Sequence, residues 1–354
     1  MWLTSSSIGR KLVMAVTGVC LVLFVTFHVL MNSVALLWPA AYNMVCEFLG
    51  ANWYALVASM GLALLFIIHI IYAVWLTLQN RKARGTDRYA IAGAAPGVEW
   101  SSKNMLVLGI VIFAFLIVHM TQFWAKMQLQ ELISHDLSAL PTVAGAPASP
   151  AMGTLFLQLA FEQWWTPVVY IIGFVALWFH MNHGFWSMFQ TIGWDNGIWI
   201  NRLKKIGLWW TSIVIALFIA QAVLFTVQAH NKFFLSDPTL VEQYGEYWDA
   251  QAENAIDDFN TRIMGVDQYD IDAQTTFFIE NGDAFISTAD SIAKYAGIQA
   301  PGYVSKSLQQ LPGMSQAVRQ YTEQSKQQQA AKQQPQQPVE MQAVEETETE
   351  TTNE

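Results

Sequence analysis

Along the first two thirds of the chain the apolar residues form long uninterrupted runs, at about 12–38, 53–79, 104–126, 164–190 and 206–229. Each run exceeds the roughly 20 residues that a helix needs to cross a bilayer. The pattern predicts an all-α membrane protein, with a five-transmembrane-helix bundle over residues 1–229. From His230 it changes. Residues 230–320 are polar, with Trp, Tyr and Phe at scattered positions and no sustained period, which predicts short helices on the membrane surface away from the N-terminus. From about Tyr321 the chain is Gln-rich and then Glu/Thr-rich, too poor in apolar groups to offset the entropy of ordering. A disordered tail is expected over 321–354.

Charge orients the bundle. Of eleven Lys and Arg up to residue 229, ten (Arg10, Lys11, Arg81, Lys82, Arg84, Arg88, Lys103, Arg202, Lys204 and Lys205) precede the first span or lie in the second and fourth connections. Only Lys126 is on the other side. The positive-inside rule then gives a cytoplasmic N-terminus and places residue 230 onward outside. Tryptophans gather at the segment ends (Trp38, Trp53, Trp100, Trp124, Trp164, Trp165, Trp209, Trp210), where an amphipathic ring favours the interface. The net charge of −9 averages a basic membrane part and a strongly acidic extension.

The first span begins with basic residues as a signal peptide does, but it is too long and lacks a small-residue cleavage pattern, so a retained anchor is expected. Cys20 is mid-span and Cys46 lies in a connection on the far side, too different in depth for a disulfide. No CxxC or CxxCH occurs, which argues against covalently attached haem and a cysteine-ligated cluster.

Four of the spans carry a histidine each, and these fall at two depths. Counted from Arg10-Lys11 and from Lys103, His28 and His119 both lie ~24 Å in from the basic edge, at ~1.5 Å per helical residue. Counted back from Asn80 and Thr191, His69 and His180 lie ~16 Å from that edge. Two stacked bis-histidine sites are the expectation. An imidazole in hydrocarbon is costly unless it bonds to something, so each is a functional candidate. Taken singly, each is as well explained by a hydrogen bond to a neighbouring helix, but four at two matched levels weaken that reading. Haem iron with two axial imidazoles suits facing helices and an apolar slot. Structural zinc prefers four ligands at one depth, and a proton relay would need carboxylates that the span interiors almost lack.

Gly184 follows His180 by one turn, and Gly18 precedes His28. Small residues let a flat ring approach a helix backbone, although plain helix packing uses them as often. His183 lies one turn nearer the basic edge than His180 and is expected to make a polar or propionate contact. Ser187, Gln190 and Thr191 are candidates to hydrogen-bond haem propionates. His135 and His230 fall in outer polar segments and are read as solvent-exposed.

The stretches TG-x9-H (Thr17, Gly18, His28), LLFIIHIIYAVW around His69, FLIVHMTQFW around His119 and FHMNHGFWSMF around His180 together resemble one family. It is the cytochrome b membrane subunit of succinate:quinone oxidoreductases and menaquinol:fumarate reductases, in its form with one five-helix anchor and two b haems. The resemblance covers roughly residues 5–235 and leaves the C-terminal part outside.

The resemblance implies that His69 and His180 hold the iron of the haem nearer the cytoplasm, and His28 and His119 that of the farther one. It implies a bacterial inner membrane, a quinone, with menaquinone expected, and two partners on the cytoplasmic face: a flavoprotein subunit with FAD and an iron–sulfur subunit. Arg81 to Arg88 would suit their docking, and as topology signals alone they are equally well explained. Glu47 stands where some members carry an acid at the quinol site; it is a candidate proton acceptor, or else an ordinary loop acid. Some fumarate reductases of this type place a glutamate two residues before the fourth ligand, whereas this chain has Trp178 there. Two other classes stay open: the cytochrome b anchor of another quinone-linked dehydrogenase, with two ligands on one helix, and a non-redox membrane transporter or receptor.

Overall fold

The computed structural model describes residues 6–84, 99–133, 137–194 and 196–333. In chain order its first part contains α1 (Ser7–Leu37), α2 (Pro39–Ala51), α3 (Trp53–Arg84), α4 (Trp100–Gln122) and the short α5 (Gln128–Ile133). A two-stranded antiparallel hairpin follows, β1 (Thr142–Val143) with β2 (Ala146–Pro147), then α6 (Gly153–Phe161), α7 (Thr166–Thr191) and α8 (Trp199–His230). The extension is α9 (Phe233–Ser236), α10 (Pro238–Met264), α11 (Ile271–Gln299) and α12 (Lys306–Gln333).

Five helices, α1, α3, α4, α7 and α8, are long and apolar enough to cross a membrane. The chain therefore reads as a membrane protein. Ser6 opens α1 by accepting the Gly9 N–H at 2.9 Å, which satisfies a donor that the first turn leaves unpaired. Pro39 starts α2 at a position where its missing N–H costs nothing. Inside α1 the hydroxyls of Thr17, Thr26 and Ser33 donate to carbonyls of their own helix, the available acceptors in an apolar medium.

Helix α7 is the centre of the bundle. It packs closely against α8, α4 and α1, while α3 leans mainly on α1 at the edge. Phe115, Phe174, Phe218 and Val29 fill the middle. Gly173 makes the α4–α7 approach possible, because a Cβ there would lie 2.5 Å from Cγ of Phe115. Leu64, Ile67, Ile71 and Leu78 of α3 stay exposed, as apolar side chains facing lipid tails can.

The chain divides into two compact units. The first comprises residues 1–248 and 294–304, so it runs beyond the last apolar span. Within it Phe234, Leu240, Tyr244 and Trp248 are completely buried. Asn43 of α2 accepts from the backbone N–H (3.0 Å) and hydroxyl (2.8 Å) of Thr154, and it donates to Gln243 (3.0 Å). The Tyr244 and Thr154 hydroxyls are 2.7 Å apart. Gln299 takes the Trp248 indole N–H (3.0 Å) and donates to the Pro147 carbonyl (3.0 Å), holding the hairpin.

The second unit comprises residues 249–293 and those from 305 on. Phe259, Phe277, Phe278 and Phe285 pack together in it, and Tyr321 stacks on Phe278. Its helices are long, where composition predicted short ones. Helix α12 also continues through Gln333, past the Tyr321 boundary expected for disorder. Few apolar residues suffice there: Thr322 is buried beside Gly282, and ion pairs Arg319–Asp290 (2.7 Å) and Lys326–Asp283 (2.6 Å) cross from α12 to α11. Residues 334–354 of the expected tail lie outside the described residues, as do Arg88 and His135.

Candidate functional site

The four span histidines meet as two pairs. His28 of α1 and His119 of α4 have ring centroids 5.7 Å apart, and His69 of α3 and His180 of α7 are 6.4 Å apart. In each case the two helices involved are not among those that pack closely, and the rings meet between them. Among the described residues no three of His, Cys, Asp and Glu converge. The arrangement supplies two imidazoles per site.

Two imidazoles per pair are the donor set that an iron held by histidines would use. Metal–nitrogen bonds of ~2 Å on both sides would set two ring centroids roughly 6.3 Å apart. The His69/His180 centroid spacing, 6.4 Å, is of that size, and the His28/His119 spacing, 5.7 Å, is shorter. Each pair also has one ring whose Nδ1 meets a hydroxyl from behind. Thr17 Oγ1 lies 3.0 Å from Nδ1 of His69. The same hydroxyl is 2.9 Å from the Val13 carbonyl and 3.1 Å from the Met14 carbonyl, and with its single proton on either of these it accepts from His69. In that arrangement His69 is protonated on Nδ1, and its Nε2 lone pair is left for a ligand. The same logic holds for His119, whose Nδ1 is 3.2 Å from the Tyr170 hydroxyl. Tyr170 donates to Gln122 Oε1 (2.9 Å), and Gln122 Nε2 donates to Thr166 (3.1 Å). Hydrogen bonds of this kind are the usual support behind a metal-ligating histidine.

The other two rings differ. Nδ1 of His180 is buried with no hydrogen-bond partner, a costly state for an imidazole at that depth. Nε2 of His28 has only a long 3.4 Å contact from the Asn32 amide. Around the far pair the walls are aromatic: Phe24 and Phe218 lie against His28, and Phe115, Phe123 and Tyr170 against His119. Beside the near pair, a Cβ on Gly18 would come within 3.9 Å of the His69 ring. One on Gly184 would meet nothing within 4 Å.

The remaining expected site residues are more scattered. His183 contacts Glu99 at 3.3 Å, and Glu99 pairs with Lys204 at 3.3 Å. Burial opposes ionisation of Glu99, but the bonds from His183 and Lys204 outweigh it and hold the carboxyl below its usual range. Ser187 and Thr191 turn their hydroxyl protons to carbonyls of their own helix, and Gln190 is exposed. His230 is exposed and bonded to the Thr226 carbonyl. Trp178 donates its indole N–H to Ser212 at 3.0 Å. Cys20 and Cys46 are both free thiols.

At the far end, Glu47 is exposed on α2. A second acid, which sequence reading passed over, lies nearby: the Glu131 carboxyl of α5 rests against Gly50, one turn along α2 from Glu47. Partial burial raises its pKa. Tyr42 and Cys46 of the same helix hydrogen-bond each other, and burial pushes the Cys46 thiol up to about 12. Nothing in the sequence marked Glu131, Tyr170 or Gln122, because their partners come from other helices.

No family model matches the chain, and no curated protein or solved structure is significantly similar to it.

Proposed function

We propose that this chain is the dihaem cytochrome b membrane anchor of a succinate:quinone oxidoreductase or menaquinol:fumarate reductase. The observation that carries the reading is the meeting of four histidines, one from each of four helices, as two pairs. An anchor with two ligands on one helix would not give that distribution. Each b haem, when bound, would supply a one-electron redox centre between a membrane quinone and an iron–sulfur partner subunit.

The chain's own residues have defined tasks in this reading. His69 and His180 hold the iron of the site nearer the basic end, and His28 and His119 that of the far site. Thr17 and Tyr170 keep the ring nitrogens presented. The quinone is assigned to the far end, where Glu131 of α5, resting against Gly50, and Glu47, one turn back along α2, would take a quinol proton and pass it to water. The basic ends of the spans, on the cytoplasmic side by the positive-inside rule, face the flavoprotein and iron–sulfur subunits. Dicarboxylate chemistry belongs to those partners.

A reduced-minus-oxidised optical spectrum with haem quantitation on the purified protein tests this directly. Two b haems per polypeptide are expected. None, under conditions that retain haem, would move the assignment to a transporter or receptor.

A further inference from the structure

Two helices carry a double duty. Helix α1 brings His28 to the far pair and, 11 residues earlier, Thr17 to the back of His69 in the near pair. Helix α7 brings His180 to the near pair and, 10 residues earlier, Tyr170 to the back of His119 in the far pair. The arrangement is reciprocal. Each helix gives a ring to one site and a hydroxyl to the other, about three turns apart, and the two helices pack against each other. The remaining helices, α3 and α4, each supply a ring that is held from behind.

We infer that Thr17 and Tyr170 are positioning residues that fix the presented nitrogen and donor strength of His69 and His119, so that each hydroxyl tunes the haem site to which its own helix gives no histidine. The inference rests on the dihaem reading above. Its physical basis is that an imidazole whose N–H is hydrogen-bonded is a stronger donor to iron, which favours the ferric state. Deleting the acceptor weakens the donor and shifts the potential upward. The two supports also differ in kind. Thr17 hands its proton to a carbonyl of its own helix, a partner that side-chain substitution does not remove. Tyr170 relies on Gln122, which is buried and itself held by Thr166, buried at the start of α7. The far site therefore depends on a side-chain chain of three members, and the near site on a single hydroxyl. The orientation of Gln122 decides the role of the phenol: with Oε1 toward Tyr170, the phenol proton is committed and its oxygen accepts from His119. Replacing that acceptor frees the phenol to donate instead, which would reverse the proton position on the ring.

The test is potentiometry with electron paramagnetic resonance of both haems in the complete membrane complex, alongside haem quantitation. Wild type must first show two b haems; if it does not, the dihaem reading fails and this inference is not the cause. With two haems present, Tyr170→Phe should move the far haem to a more positive potential and change its g values, leaving the near haem in place. Thr17→Val should do the same to the near haem alone, and Thr17→Ser should restore wild-type values. Gln122→Leu, which leaves the phenol intact, should disturb the far haem only. Loss of haem confined to the supported site also agrees with a positioning role. Unchanged potentials and g values, equal shifts at both sites, or an effect on the opposite site would overturn it.

Discussion

His69 and His180 face each other with ring centroids 6.4 Å apart, although α3 and α7, which carry them, are not among the closely packed helix pairs. A site made by two rings should answer to either one. His69→Ala and His180→Ala are each expected to remove one haem and keep the other, and His28→Ala and His119→Ala to remove the complementary one. Haem per polypeptide and the residual spectrum decide it. Loss of both haems from a folded, inserted single variant would break the pairing.

Gly173→Ala tests the packing behind the far pair. The added methyl would lie 2.5 Å from Cγ of Phe115, whose ring is stacked 5.9 Å from that of His119. Overpacking of this kind costs about 1–3 kcal/mol. We expect a lower melting temperature together with a changed far-haem spectrum. A change in melting alone would show that Phe115 moves without disturbing His119.

Glu131 and Glu47 can be separated by kinetics. Burial raises the Glu131 pKa, so the carboxyl ionises, and becomes able to accept a proton, at higher pH than an ordinary glutamate. Quinol oxidation should rise with pH through that range. Glu131→Gln should flatten the rise and slow turnover on the order of 100-fold, with both haems retained. Glu47→Gln, removing an exposed carboxyl, should slow it less. A normal pH profile in Glu131→Gln would return this residue to a structural role.

Thr154→Val keeps the side-chain volume and removes the hydroxyl that Asn43 and Tyr244 share. A buried polar group left without its partner costs about 1–3 kcal/mol. The expected result is a destabilised protein by thermal unfolding in detergent, with haem spectra unchanged. Ending the chain at Asn231 should be far more damaging, because it removes Phe234, Leu240, Tyr244 and Trp248 from the interior of the first unit. Wild-type stability of that truncation would show the extension to be dispensable to the bundle.

Cys46 should resist alkylation of the native protein at pH 8. Burial pushes its thiol up to about 12, so the reactive thiolate is scarce there, and the site is enclosed by Tyr42 and Gly153. Mass spectrometry after iodoacetamide treatment, before and after unfolding, would show modification only in the unfolded sample.

The sequence alone determined the five spans, because length and uninterrupted apolarity are local properties and a bilayer imposes a simple length rule on them. It also set the height of each histidine along its own helix, since the rise per residue converts position into distance. Those two regularities made the four rings legible before any packing was known. The reach of α12 past Tyr321 was not legible, because its few apolar and paired residues find their partners on α11. Nor could the sequence show that Thr17 stands behind His69, that Tyr170, Gln122 and Thr166 stand behind His119, or that Glu131 rests on α2 beside Gly50. Each joins residues on different helices, and the azimuth of a nearly all-apolar helix is not written in its own pattern. Only side-chain packing among the helices selects which hydroxyl meets which ring.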